Sequence, residues 1–188
     1  MLDAQNAAVA PPVVIRREDY RPPEWQVPEI SLDFDLDPER TRVGSRLHVT
    51  RAPGVGPSPI RLNGEGLSLV SVMVDGAEAK WRMDGGDLLV DLHGEAHLVE
   101  IVTEISPRAN SRLMGLYESG GILCTQCEAE GFRRITFFPD RPDVLSRFRV
   151  KMTASKALYP VLLANGDLVA AGDLADGRHW AEWNDPFP

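Results

Sequence analysis

Residues 30–37 read I-S-L-D-F-D-L-D, and this octet decides the fold. Ile30, Leu32, Phe34 and Leu36 alternate with Ser31, Asp33, Asp35 and Asp37. Successive side chains of an extended chain point to opposite faces, so a period of two gathers the apolar groups on one side. The spacing predicts a half-buried strand with one wet face.

The same period continues outward from this octet. "RVGSRLHVT" sets Val43, Leu47 and Val49 on one side, and the Pro/Gly stretch "APGVGPSP" then breaks the pattern. In "IRLNGEGLSLVSVMVDG" the apolar phase slips between Leu69 and Val70, which predicts a bulge. "LLVDL" and "HLVEIVTEI" follow; in the second, Val99, Ile101 and Ile105 share a face with Thr103 between them. "RFRVKMTAS" alternates Phe148, Val150, Met152 and Ala154, and "RHWAEWND" reads as a last strand stopped by "DPFP". Asn165-Gly166, between two apolar runs, predicts a two-residue hairpin turn. Helical periodicity is scarce; a short turn of helix is expected over Arg141–Arg147. Many short strands with turn chemistry between them predict an all-β fold, an antiparallel β-sandwich or curved open sheet. Residues 1–13 are small, apolar and unpatterned, and are expected to form a flexible tail; residues 14–188 are expected to form a single β-domain.

The chain has 188 residues, enough to bury a real core, with 43% hydrophobic and 26% charged residues. The formal net charge of -8 argues against a broad basic surface for nucleic acid or anionic lipid. No apolar run approaches the length needed to span a bilayer, and the start lacks a basic region before an apolar core. Two cysteines do not make a disulfide framework, so a cytoplasmic setting is the expectation.

Both cysteines lie in "CTQCEAEGFRR", Cys124 to Arg134, at C-x-x-C spacing. A structural zinc site wants four ligands, and His48, His93, His97 and His179 offer no finger spacing to complete the pair. The strand-to-helix context of a thioredoxin-like pair is also missing. On an extended Cys124–Glu128 segment the two Cα atoms lie about 10 Å apart, beyond the roughly 7 Å that a disulfide bridges. The same assumption aims Cys124, Gln126 and Glu128 one way, and Thr125, Cys127 and Ala129 the other. An amide then stands beside a carboxylate able to pair with an ammonium. From spacing alone, a solvated strand edge is the favoured reading of the pair.

Other patterns are weaker. "HGEAH" places Gly94 where a zincin helix has its glutamate, and reads as a surface turn. Arg16-Arg17, "DPERTR" and Arg133-Arg134 read as solvated charge clusters. Trp180 and Trp183, with Phe187, suggest a sugar-binding platform, but residues three apart on a strand face opposite ways. A non-enzymatic β-sandwich binding module, lectin-like or for protein interaction, is the alternative reading. A hydrolase elbow, a phosphate loop and a Ser/His/Asp set with supporting context are all missing.

Taken together, "ISPRANSRLMGLYESGGILCTQCEAEGFRRITFFPDRPDVLSRF" resembles the amino-terminal domain of the bacterial aminopeptidase N family, alanyl aminopeptidases of the zinc gluzincin class. "LLANGDLVAAGDLADGRHWAEWNDPFP", "DYRPPEW", "LDFDLDP" and "RLNGEGLSLVSV" carry the same resemblance. It runs from about Asp19 onward and is weakest through Gly76–Val99, with conservative departures in "GLYESGG" and "ITFFPD". The resemblance implies a saddle-shaped all-β domain packed against a thermolysin-like catalytic domain of the same chain, expected beyond residue 188. It implies zinc in the full-length enzyme, held by H-E-x-x-H and a later glutamate, and a G-A-M-E-N segment for the substrate amine. None of these motifs occurs here, so the chain is expected to bind no zinc and to be inactive in isolation. The ending in "NDPFP" is read as a cut placed in a linker. By the same resemblance, Gln126 touches the bound amino acid in the first specificity pocket, and Glu128 helps bind the free α-ammonium of a peptide substrate.

Overall fold

The alternation of residues 30–37 becomes the second half of strand β1 (Trp25–Asp35). In this computed structural model, which describes residue 14 and residues 16–188, Ile30, Leu32 and Phe34 are buried. The tail expected over residues 1–13 lies outside the described residues. The other strands are β2 (Thr41–Arg51), β3 (Ile60–Leu62), β4 (Ser68–Val74), β5 (Ala77–Glu78), β6 (Trp81–Asp84) and β7 (Asp87–Val90). They continue with β8 (Ala96–Ile105), β9 (Gly115–Ser119), β10 (Ile122–Gln126), β11 (Arg147–Ser155), β12 (Asp167–Asp173) and β13 (Arg178–Asp185). Helix among the described residues is confined to two 3-10 turns, Arg17–Asp19 and Phe132–Arg134. None is long and apolar enough to cross a membrane.

Eight strands form one sheet in the order β12-β13-β11-β1-β2-β8-β4-β5; β3-β7-β6 form a second, and β9 and β10 a separate hairpin. The inner face of the large sheet carries Val43, Leu47, Val49, Val99 and Ile101, all buried. They share one core with Ile60 and Leu62 of β3, Leu88 and Val90 of β7, Leu116 of β9, and the segment Ile135, Phe137 and Phe138. The outer face is polar. On it Arg46 stands opposite Glu100 and Arg42 opposite Glu104, so β2 and β8 carry opposed charges in register.

Three buried hydroxyls tie the large sheet to residues 135–138. Ser45 Oγ lies 3.0 Å from Thr136 Oγ1, and Thr103 Oγ1 donates to the Ile135 carbonyl at 3.2 Å. Each hydroxyl sits at an inward position of its strand or segment, where a buried polar group needs a partner. These bonds fix the segment that follows the candidate loop.

The bulge expected in β4 is present. The slip after Leu69 is a register shift between Leu69 and Ser71 against β8. Pro28, which has no N–H to give, coincides with a second shift between Gln26 and Glu29.

The all-β fold of antiparallel sheets is as expected, with one parallel pairing within it, β1 with β11, Ile30 opposite Phe148. Alternation is the same in both orientations, so it is silent on direction. Two expectations are corrected. Asn165-Gly166 is not a hairpin turn, because residues 161–164, just after Pro160, are not a strand. Gly166 (φ +82) instead bends the chain where a Cβ would meet Asp185 Cα at 2.6 Å. The hairpin of this region joins β12 to β13 through residues 174–177. Residues 141–147 are not helical; one turn closes with Val144 N–H on the Arg141 carbonyl (3.2 Å), and β11 begins at Arg147.

Candidate functional site: the loop after the β9–β10 hairpin

Gln126 is the last residue of β10, paired with Gly115 at the open end of the hairpin. The hairpin turns at Gly120-Gly121, both with positive φ (+58 and +81), the backbone of a two-residue turn that follows the strand twist. The strand ends because the chain folds back at once. Gly131 N–H donates to the Cys127 carbonyl at 2.8 Å, closing a five-residue turn. A Cβ at residue 131 would lie 2.6 Å from the Gln126 carbonyl oxygen and 2.7 Å from Cys127 Cα, so only glycine fits.

Glu128 therefore lies outside the strand, and the extended Cys124–Glu128 segment expected from the sequence is corrected. The structure still brings the two candidates together. Gln126 Nε2 donates to the Glu128 backbone carbonyl at 3.0 Å, and both side chains are exposed. A turn, not strand alternation, makes them neighbours. Among the described residues Glu128 has no ion-pair partner, whereas Glu130 lies 3.4 Å from Arg133 Nη2.

The loop is fastened downstream. Phe132 packs edge-on against Phe138 and Phe148, with centroids 5.0 and 5.8 Å away. Arg133 is joined to Asp140 and Arg134 to Glu65. The Arg133-Arg134 pair is thus no solvated cluster; its side chains are only 22% and 15% exposed. The sequence reading missed Asp140 and Asn63 as supports of this loop. Asn63 lies far along the chain from it, and Asp140, seven residues past Arg133, is marked by no local spacing.

Both cysteines are free. Burial, with Asp140 nearby, pushes the Cys127 thiol up to about 11, away from the thiolate that metal binding or nucleophilic attack requires. Cys124 stands opposite Tyr117 and, by hydrogen bonding, holds that phenol above its usual range. Among the described residues no group of three or more His, Cys, Asp or Glu side chains is placed to hold a metal ion. The His93–His97 segment is a bend entering β8, with His97 Nδ1 2.7 Å from Asp75 Oδ2. That contact holds the Asp75 carboxyl below the usual carboxylate range.

Two cavities flank the loop. One of about 460 Å³ runs beneath the hairpin, lined by Leu32, Phe34, Leu123, Cys127, Phe132 and Phe148 among others. The other, about 650 Å³, reaches Glu130, Arg133 and Asp140 from the side of Trp25. Neither encloses Gln126 or Glu128, which stand on an open surface. The tryptophans form no platform: Trp183 packs on the small core of Ala154, Leu162 and Ala181, and Trp180 lies on the other face, under Lys151 Nζ at 5.6 Å. Chemically the site presents one unpaired carboxylate and one oriented amide, a pair suited to a primary ammonium.

Residues 29–188 match the family model described as the Peptidase M1 N-terminal domain. The chain is 51% identical over 173 residues to aminopeptidase N of Escherichia coli K12, covering 92% of this chain and 20% of that protein. It is 49% identical over 180 residues to aminopeptidase N of Caulobacter vibrioides, covering 94% and 21%. The chain thus spans about a fifth of the length of these relatives. Among solved structures, aminopeptidase A of Legionella pneumophila in complex with aspartic acid superposes with a TM-score of 0.83 at 30% identity, over 91% of this chain and 21% of that one. An M1 zinc metallopeptidase from Deinococcus radiodurans has a TM-score of 0.73 at 18% identity over 86% and 39%, a likeness of fold.

Proposed function

The chain belongs to the M1 peptidase family, as its N-terminal domain, and on that premise we propose that it supplies one wall of the substrate site of an aminopeptidase. In this reading the whole enzyme removes amino acids from the free N-terminus of peptides. Residues 14–188 act as one β-domain that docks on a thermolysin-like catalytic domain of the same polypeptide. The hydrolytic machinery and its zinc belong to that other part. The same proposal places the enzyme in the cytoplasm, in peptide breakdown, which cell fractionation and a peptide-utilisation assay would check.

Glu128 receives the α-ammonium of the substrate, and Gln126 adds a directional contact in the first specificity pocket. One observation carries this reading: the exposed Gln126 and Glu128, joined by the 3.0 Å hydrogen bond, on an open surface at the end of β10. An exopeptidase must measure from the chain end. A carboxylate held at a set distance from the scissile bond favours a substrate whose first nitrogen is free and charged. A charge-assisted hydrogen bond of this kind is worth about 1.5–3 kcal/mol. Glu128→Ala in the full-length enzyme is therefore expected to lower kcat/KM for an alanyl anilide about 10- to 100-fold. A wild-type kcat/KM in that variant overturns the assignment. The isolated chain, with zinc added, is expected to release no chromophore from the same substrate. Turnover that scales with purified chain and is missing from a mock preparation contradicts this.

A further inference from the structure

The loop that carries Gln126 and Glu128 runs into Arg133, whose backbone N–H and carbonyl, Nε and Nη2 are all engaged. Arg133 donates its backbone N–H and its Nε–H to the same oxygen, Asp140 Oδ2, at 3.1 and 3.0 Å. Its Nη2 donates to the Asp140 carbonyl at 2.9 Å and lies 3.4 Å from Glu130 Oε1. Its own carbonyl accepts the Glu65 N–H at 2.9 Å. Asp140 is held in turn, donating its N–H to Asn63 Oδ1 at 3.2 Å. Asn63 exchanges backbone bonds with Phe138 at 2.8 and 3.2 Å, and its Nδ2 donates to Asp87 Oδ1 at 3.2 Å. A continuous path of hydrogen bonds thus joins the loop to the three-stranded sheet.

The fold does not need this path to stay closed. Residues 135–138 are already anchored by their buried side chains and by Ser45 and Thr103. The loop itself is held more lightly. Past its pairing with Gly115, it is held by the internal bonds of Gln126 to Glu128 and of Gly131 to Cys127, and by the Gly131 carbonyl accepting the Arg134 N–H at 3.1 Å. Just beyond it Phe132 packs on Phe138 and Phe148 and Arg134 joins Glu65, and the densest set of hydrogen bonds steering the loop, three in number, is where Arg133 meets Asp140. The guanidinium fork suits that task, since Nε and Nη2 reach two different acceptors of one residue at once. The same arginine engages Glu130 and leaves Glu128 as the loop's unpaired carboxylate.

We propose that Arg133 and Asp140 are positioning residues for the ammonium-binding loop: they fix where Glu128 stands relative to the substrate and keep Glu130 out of competition for the amine. This rests on the reading of Glu128 given above. The test is steady-state kinetics of the full-length enzyme on an alanyl anilide. Arg133→Ala and Asp140→Ala are each expected to raise KM about ten-fold, with kcat within about two-fold, as displaced positioning groups do. Asp140→Asn is expected to recover most of the loss, because an amide oxygen still accepts both N–H groups. The double variant Glu128→Ala/Asp140→Ala is expected to be no worse than Glu128→Ala alone, since both act through one contact. A purely structural role lowers the active fraction and leaves KM in place. Unchanged KM in the single variants, or full additivity in the double variant, overturns the inference. Should Asp140→Ala fail to fold, Arg133→Lys decides: a KM raised about three-fold or more supports the inference, and an unchanged KM ends it. A wild-type kcat/KM in Glu128→Ala removes the ammonium reading, and the inference with it. A damaged Glu128→Ala beside unaffected Arg133 and Asp140 variants removes the inference alone.

Discussion

At the scale of single residues, the loop is shaped by what has no room and what has no charge. Gly131 is packed against the Gln126 carbonyl and Cys127 Cα, so a methyl group there must push the turn open. Gly131→Ala is expected to cost about 1–3 kcal/mol, read as a lowered urea midpoint at unchanged slope. Cys127 is the second case. With its thiol held at about 11 by burial, the neutral form dominates in the folded chain at pH 8. The sign follows: a raised thiol value means less thiolate when folded, so alkylation slows on folding. Iodoacetamide at pH 8 is expected to modify native Cys127 about a hundred-fold more slowly than the urea-unfolded chain. Equal rates would show that the loop leaves this thiol open.

At the scale of elements, the hydroxyls of Ser45, Thr103 and Thr136 join layers that apolar contact alone would leave free to slide. Thr103 is fully buried, and its Oγ1 supplies a donor to the Ile135 carbonyl. Thr103→Val keeps the shape, removes that donor and leaves the carbonyl buried without it. The expected loss is about 1–3 kcal/mol, although the new side chain is the more hydrophobic. A melting temperature equal to or above the wild type would refute the role given to this bond. The element scale also shows how much of the fold was legible. The inward sets of β1, β2 and β8 were readable because alternation is written in adjacent residues. The β9–β10 hairpin escaped notice, although Gly120-Gly121 between apolar positions is a turn signal. Asn165-Gly166 misled because turn chemistry fits any sharp bend, and the strand it needed before it does not form.

At the scale of the whole molecule, the surface is laced with ion pairs that set the acid limit of stability. Arg40 holds the Glu104 carboxyl below its usual range, and Arg141 does the same for Asp143, with help from the Tyr20 hydroxyl. His97 lowers Asp75, Arg61 lowers Asp84, Lys156 lowers Asp173 and Arg178 lowers Asp176. A carboxylate depressed by folding contributes stability above its unfolded value and loses it as pH falls through the folded one. The melting temperature of the chain is therefore expected to be flat from about pH 7 to 5 and to fall steadily below about pH 4. A profile unchanged down to about pH 2.5 would show that these pairs contribute nothing.

By itself the sequence determined the all-β character and the inward faces of the main strands, and through its likeness to a known family it supplied the proposal that Gln126 and Glu128 bind substrate. Each of these is recorded locally, in the alternation of neighbours or in a contiguous block of letters. The tertiary structure decided the rest. It chose β11 as the parallel neighbour of β1, a direction that the alternation of side chains does not encode. It set Gln126 beside Glu128 by a turn instead of by a strand. It also brought Asp140 and Asn63, 77 positions apart, together behind the loop. Pairing partners and supports of this kind depend on how distant segments pack, and no spacing along the chain encodes a contact between residues that only folding makes adjacent.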